Sequence, residues 1–207
     1  MKTYDQLQEQ VLVLLELMDK PYSLHGRDVT SFQGSRKTIM SMFDTEAGYT
    51  YSTSLTQMAP SVSHSDTRKI TDLFKAYGDS NNPLVTMLDK KDWDPEPALE
   101  EFIESEGRFP FQAYELFFHL EDNPDHSRIT DPVGISGTGD QFRVFATVAD
   151  FVRKEIKRNK IDILHFSAKE KSRKKLYDTF SKMIAREMKT KVLTTVDKGE
   201  TIYWFVI

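Results

Sequence analysis

The chain has 207 residues, a formal net charge of −4, 39% hydrophobic residues and no cysteine, which allows one substantial core and excludes a disulfide framework, a thiolate metal site and a cysteine nucleophile. No apolar run approaches the roughly 20 residues that a membrane span needs. Met1-Lys2 leads into a polar Thr-Tyr-Asp-Gln stretch rather than a signal-peptide core, so the expected location is cytoplasmic, with no membrane partner.

In chain order, Thr3 and Gln6 have capping-box spacing. Leu7, Val11, Leu14, Leu15 and Met18 then recur at helical steps before Pro21, which predicts a first helix. From Tyr22 to Pro60 the pattern shifts to Ser, Thr, Gly and aromatic residues. Arg36 to Phe43 and Tyr49 to Leu55 read as two strands around Asp44-Thr-Glu-Ala-Gly48. Gly34-Ser35-Arg36-Lys37-Thr38 has the composition of a phosphate loop but lacks the first glycine at the required spacing.

Asp66 is a candidate cap for a helix through Ile70, Leu73, Phe74 and Tyr77. Pro97 starts a short acidic helix that ends at Gly107. Phe111 to Leu120 reads as a strand, and Arg128 to Ile135 as its hairpin partner.

The stretch from Gly134 to Met188 organises the rest. Phe142, Phe145, Ala149, Val152 and Ile156 are spaced by three and four, which gives a helix over 140–159 one apolar face. Ile161 to Phe166 is an apolar run too short for a helix and suited to an interior strand. Ser167 followed by Glu170 has capping-box spacing, so a second helix is expected to begin at Ser167 and to carry Leu176, Phe180, Met183, Ile184 and Met188 on its apolar stripe. Lys191 to Val196 and Thr201 to Ile207 form a closing hairpin around Asp197-Lys-Gly-Glu200.

Helices and hairpins in this alternation predict an α+β fold. Charge divides along the chain: residues 89–125 hold twelve acidic and three basic side chains, and residues 151–191 hold fourteen basic and five acidic. An acidic segment lying near the basic helices, two solvated faces, or an anionic ligand or nucleic acid on the basic segment 151–191 would each account for this. The five histidines, at 25, 64, 119, 126 and 165, lack the spacing of a helical metal pair, and no metal is expected.

Taken as a unit, residues 111 to 207 run strand, strand, glycine loop, helix, strand, helix, strand, strand. This succession, with Gly134-Ile-Ser-Gly137-Thr-Gly139 ahead of the helix and Leu176-Tyr177 on the next one, resembles the C-terminal part of the GCN5-related N-acetyltransferases (GNAT superfamily). The wording of Gly-Thr-Gly-Asp-Gln-Phe-Arg-Val-Phe and Phe-Ser-Ala-Lys-Glu-Lys-Ser-Arg-Lys-Lys-Leu-Tyr also resembles small tailed-bacteriophage proteins.

The resemblance implies a GNAT-like mixed sheet over 108–207, with a helical and irregular portion over 1–107. It implies acetyl-CoA held by Gly137, Thr138 and Gly139, with Lys171 or Arg173 near the phosphates and Tyr177 as general acid. Acyl transfer also needs a base for the amine, for which Glu115, His119 and His165 are candidates. The pattern departs from the family where Gly134 replaces Gln or Arg and where Asp140 follows Gly139, because a carboxylate there repels a phosphate. A non-catalytic accessory or virion-associated protein that binds protein, nucleic acid or a second copy through the same fold therefore stands beside the enzyme.

Overall fold

The computed structural model describes residues 20–32, 36–60, 64–77, 99–122, 141–168 and 174–207. The chain runs β1 (His25–Phe32), β2 (Arg36–Asp44), β3 (Thr50–Gln57), α1 (His64–Tyr77), α2 (Leu99–Glu106), β4 (Ala113–Asp122), α3 (Gln141–Asn159), β5 (Ile163–Ala168), α4 (Lys174–Met188), β6 (Val192–Asp197) and β7 (Glu200–Val206). The strands form one seven-stranded sheet in the order β1-β2-β3-β4-β5-β7-β6. The fold is α+β with a mixed sheet, as the sequence predicts. No described helix is long and apolar enough to cross a membrane.

β2 and β3 are neighbours joined only by residues 45–49, where the Thr45 N–H donates to the Tyr49 carbonyl at 2.8 Å and the Gly48 N–H to the Thr45 carbonyl at 3.0 Å. So short a connection permits only antiparallel pairing. β4 and β5 are parallel, and the connection between them contains α3, as a parallel pair requires. β7 then pairs antiparallel with both β5 and β6. The β6–β7 link is a two-residue turn, Lys198 at φ 50° and Gly199 at φ 83°, the left-handed pair that matches strand twist.

α3 and α4 both stop on a lysine at positive φ, Lys160 (49°) and Lys189 (55°). The following N–H groups, of Ile161 and Thr190, reach back to the carbonyls of Ile156 and Ala185 at 3.3 and 2.9 Å. This bond satisfies carbonyls at the end of each helix, at a position where glycine is the usual occupant.

Asp66 does not cap α1, which begins at His64 and holds Asp66 in its first turn, where its Oδ2 accepts from the Ala59 N–H at 3.1 Å. Ser167 does not cap a helix, because it lies inside β5, paired with Ile202 of β7, and α4 begins at Lys174. The cross-strand ladder to β7, which continues to Ala168, outweighs a local capping signal. The predicted helix over residues 3–18 and the predicted strand over 128–135 lie outside the described residues.

The chain divides into two compact units. The first comprises Met1–Asp28, Met40–Ser54 and Phe118–Lys154. Its core contains the stacked rings of Tyr22, Phe43 and Tyr51 and the edge-on pair Phe118–Phe145. Arg143 lies 3.9 Å over the Tyr22 ring and donates to the Lys20 carbonyl, which ties this segment to α3.

The second unit comprises Val29–Ile39, Leu55–Phe117 and Glu155–Ile207. On one face of its strands Ile70 and Leu73 of α1 pack with Ala113, Ile163, Ile202, Trp204 and Val206. On the other face Phe166 gathers the rings of Tyr203 (4.9 Å), Phe180 (5.3 Å), Phe205 (6.1 Å) and Tyr177 (6.2 Å).

Candidate functional site

The second unit carries a cluster of ionisable side chains under α1. The parallel ladder between β4 and β5 pairs Ala113 with Ile163, Tyr114 with Leu164 and Glu115 with His165. Registered residues of neighbouring strands point to the same face, so the last rung sets a carboxylate beside an imidazole. Trp204 of β7 pairs with His165 from the other side, and its ring lies 4.5 Å from the imidazole.

α1 closes the cluster from above. Lys69 precedes Ile70 and lies one turn before Leu73, so it stands at the border of the helix's apolar stripe, and its Nζ reaches Glu115 Oε1 at 2.8 Å. The side chains of Lys69 and Glu115 are 13% and 9% exposed. In so dry a setting the pair is held by attraction that water screens little, and removal of either partner strands a charge.

His165 is 0% exposed, and neither ring nitrogen has a hydrogen-bond partner. Burial, and secondly the Lys69 charge, hold its pKa well below the usual imidazole value, so the ring is neutral at pH 7. Two residues on, and therefore on the same face, the Ser167 hydroxyl is also buried and without a partner. Buried polar groups are nearly always satisfied. Three unsatisfied atoms on alternate residues of one strand mark this as the most unusual polar site among the described residues.

The sequence-predicted residues distribute as follows. Glu115 and His165 come together. Tyr177 does not join them: it is buried against Phe166, whose side chain points to the face of β5 opposite His165. On that face the Tyr203 hydroxyl donates to Asp178 Oδ1 at 2.7 Å. Burial, and then this bond, raise the Tyr203 pKa above the ordinary phenol range.

His119, in the first unit, has Nε2 2.7 Å from Glu121 Oε1 and lies beside the Ser52 hydroxyl, at 3.1 Å from Nδ1 and 3.2 Å from Nε2. The two nitrogens of an imidazole point away from each other, so an oxygen equidistant from both lies on neither axis. The Ser52, His119 and Glu121 side chains are thus no proton relay of the serine-hydrolase kind, which needs the hydroxyl aligned with one nitrogen.

Gly137, Thr138, Gly139, Lys171 and Arg173 lie outside the described residues. The helix that follows the glycines, α3, has no acidic residue in its first turn. Among the described residues no group of three His, Asp or Glu side chains is arranged to hold a metal ion. Arg36, Lys37 and Thr38 of the discounted phosphate-loop stretch are strand residues of β2.

Sequence reasoning missed Lys69 and Trp204. Lys69 left a trace, a cation at the border of an apolar stripe. Trp204 left none, because its pairing with His165 depends on β7 entering the sheet between β5 and β6. Comparison of the chain with protein-family models, with curated proteins and with solved structures returns no match.

Proposed function

We propose that the chain is a GNAT-like, acyl-CoA-dependent N-acyltransferase. The observation that carries this reading is the last rung of the parallel β4–β5 ladder, where Glu115 and the neutral His165 lie side by side. The succession β4, α3, β5, α4, β6, β7 supports the family resemblance, and the glycine-bearing residues 134–139 fall in sequence between β4 and α3.

Acyl-CoA supplies an activated acyl group. An amine acceptor arrives as an ammonium and must lose a proton before its lone pair can attack. Glu115 is the carboxylate suited to receive that ammonium, once Lys69 yields its place, and the Glu115 oxygens take up the proton. Tyr177 is the proposed proton donor to the leaving thiolate. Tyr177, buried against Phe166, lies on the α4 face of β5 and Glu115 on the α1 face, so one thioester would meet both only past the Glu115–His165 rung, where the β4–β5 pairing ends.

The test is thiol release from acetyl-CoA in the presence of a primary amine. Wild-type turnover is expected, with Glu115→Gln and Tyr177→Phe each lowering it about 10²-fold or more while acetyl-CoA binding persists. No thiol release from the wild type at any amine concentration contradicts the enzyme.

A second reading is favoured by a specific observation: the candidate bases are engaged or enclosed, Glu115 by Lys69, His119 by Glu121 and His165 by complete burial. A non-catalytic accessory protein that keeps the fold, and binds protein or nucleic acid through the basic 151–191 segment, needs none of them free. Cofactor binding without turnover, or salt-sensitive polyanion binding without cofactor binding, selects that reading.

A further inference from the structure

The enclosure of His165 has a consequence that is independent of any catalytic role. β4, β7 and α1 each place a group beside its ring. β4 presents Glu115, the partner of His165 in the parallel register. β7 presents Trp204, with no titratable group. α1 presents Lys69, whose ammonium is already committed to Glu115 at 2.8 Å. On β5 itself the flanking residues of the same face, Ile163 and Ser167, are uncharged.

A neutral imidazole is tolerated there, at the cost of two unsatisfied nitrogens. A protonated one is not, since it places a second cation beside Lys69 in a buried setting where Glu115 already holds that ammonium. The imidazolium reaches water only if a covering element moves away. α1 is the element whose ion pair the new charge disrupts.

We infer that α1 is an acid-released latch: uptake of one proton by His165 drives α1 off the β4–β5–β7 face. Burial, and then the Lys69 charge, lower the His165 pKa in the closed form, whereas in the opened form the ring returns to about 6.5. The closed form is therefore fully stable above pH about 6.5 and loses stability as pH falls below it, until the closed-form pKa is reached. One proton is involved, so the opening constant rises by up to about tenfold per pH unit across that window.

Amide hydrogen exchange on the full chain at pH 7.5, 6.0 and 5.0, corrected for the intrinsic pH dependence of exchange, tests the latch. Peptides covering Ile70 to Tyr77 are expected to lose protection by up to about tenfold per pH unit below about 6.5, while peptides of α4 hold theirs. In His165→Phe, which keeps a ring against Trp204 but cannot titrate, α1 protection is expected to be independent of pH. The latch is overturned by pH-independent protection of α1 in the wild type, by equal loss in α4, or by a steep loss that persists in the variant. Should His165→Phe fail to fold, an NMR titration of the wild-type ring decides: protonation must coincide with loss of α1 protection. An ordinary titration near pH 6.5 with α1 still protected refutes it.

Discussion

The two faces of β5 are built on opposite terms. Leu164, Phe166 and Ala168 point into an apolar layer where Phe166 meets four aromatic rings from α4 and β7, and where the Tyr203 hydroxyl is satisfied by Asp178. Ile163, His165 and Ser167 point toward α1, into a layer with a buried ion pair and three unpartnered polar atoms. Local rules agree with the global fold on the first face and are broken on the second. Such violations concentrate where structure serves something besides stability, which is why the α1 face holds the candidate bases Glu115 and His165, while the aromatic face contributes Tyr177 alone.

Mutations can break this contrast. The largest loss is expected from Phe166→Ala, which empties the centre of the aromatic layer and should cost about 3–5 kcal/mol in chemical denaturation. A cost below about 1 kcal/mol would mean that the layer is not close-packed. On the α1 face Lys69→Met should cost about 3 kcal/mol, because Glu115 is left buried and unpaired. The double variant Lys69→Met with Glu115→Met should recover most of that loss, and additive losses in the double-mutant cycle would show that the pair carries no coupling.

The folded state also responds to alkali. The Tyr203 pKa is raised by burial and by Asp178, and burial raises that of Tyr114 as well. Above pH about 10 the unfolded phenols ionise while the folded ones do not. Stability is therefore full below pH 10 and falls as pH rises beyond it. Tyr203→Phe should flatten part of that fall, measured as denaturation midpoints between pH 8 and 11, and should cost roughly 1–2 kcal/mol at neutral pH. The smallest effect is expected at Ser167→Ala, where loss of an unpartnered buried hydroxyl should be neutral or slightly stabilising, within about 0.5 kcal/mol. A loss above about 1 kcal/mol would reveal a bond that the hydroxyl makes in solution.

Much of the aromatic side was legible in the sequence. The stripe of Phe180, Met183 and Ile184 on α4, the apolar run of β5 and the closing hairpin each follow from periodicity and turn chemistry. On the α1 side the helix stripe and the single residues Glu115 and His165 were legible, but their meeting was not, because it is long-range. Residues 69, 115, 165 and 204 meet only through strand order and register, and no local pattern encodes either. Ser167 shows the same limit in reverse: its spacing to Glu170 is good capping chemistry, yet six ladder partners between β5 and β7 keep it in a strand.

The acyltransferase reading depends most directly on cofactor affinity. Calorimetric titration with acetyl-CoA is the decisive measurement, made on the wild type and on Gly139→Val, whose side chain would obstruct approach of a pyrophosphate to the backbone N–H groups ahead of α3. The account predicts saturable binding below millimolar concentration in the wild type and its loss in Gly139→Val at an unchanged melting temperature. Absence of binding by the wild type at millimolar acetyl-CoA contradicts it.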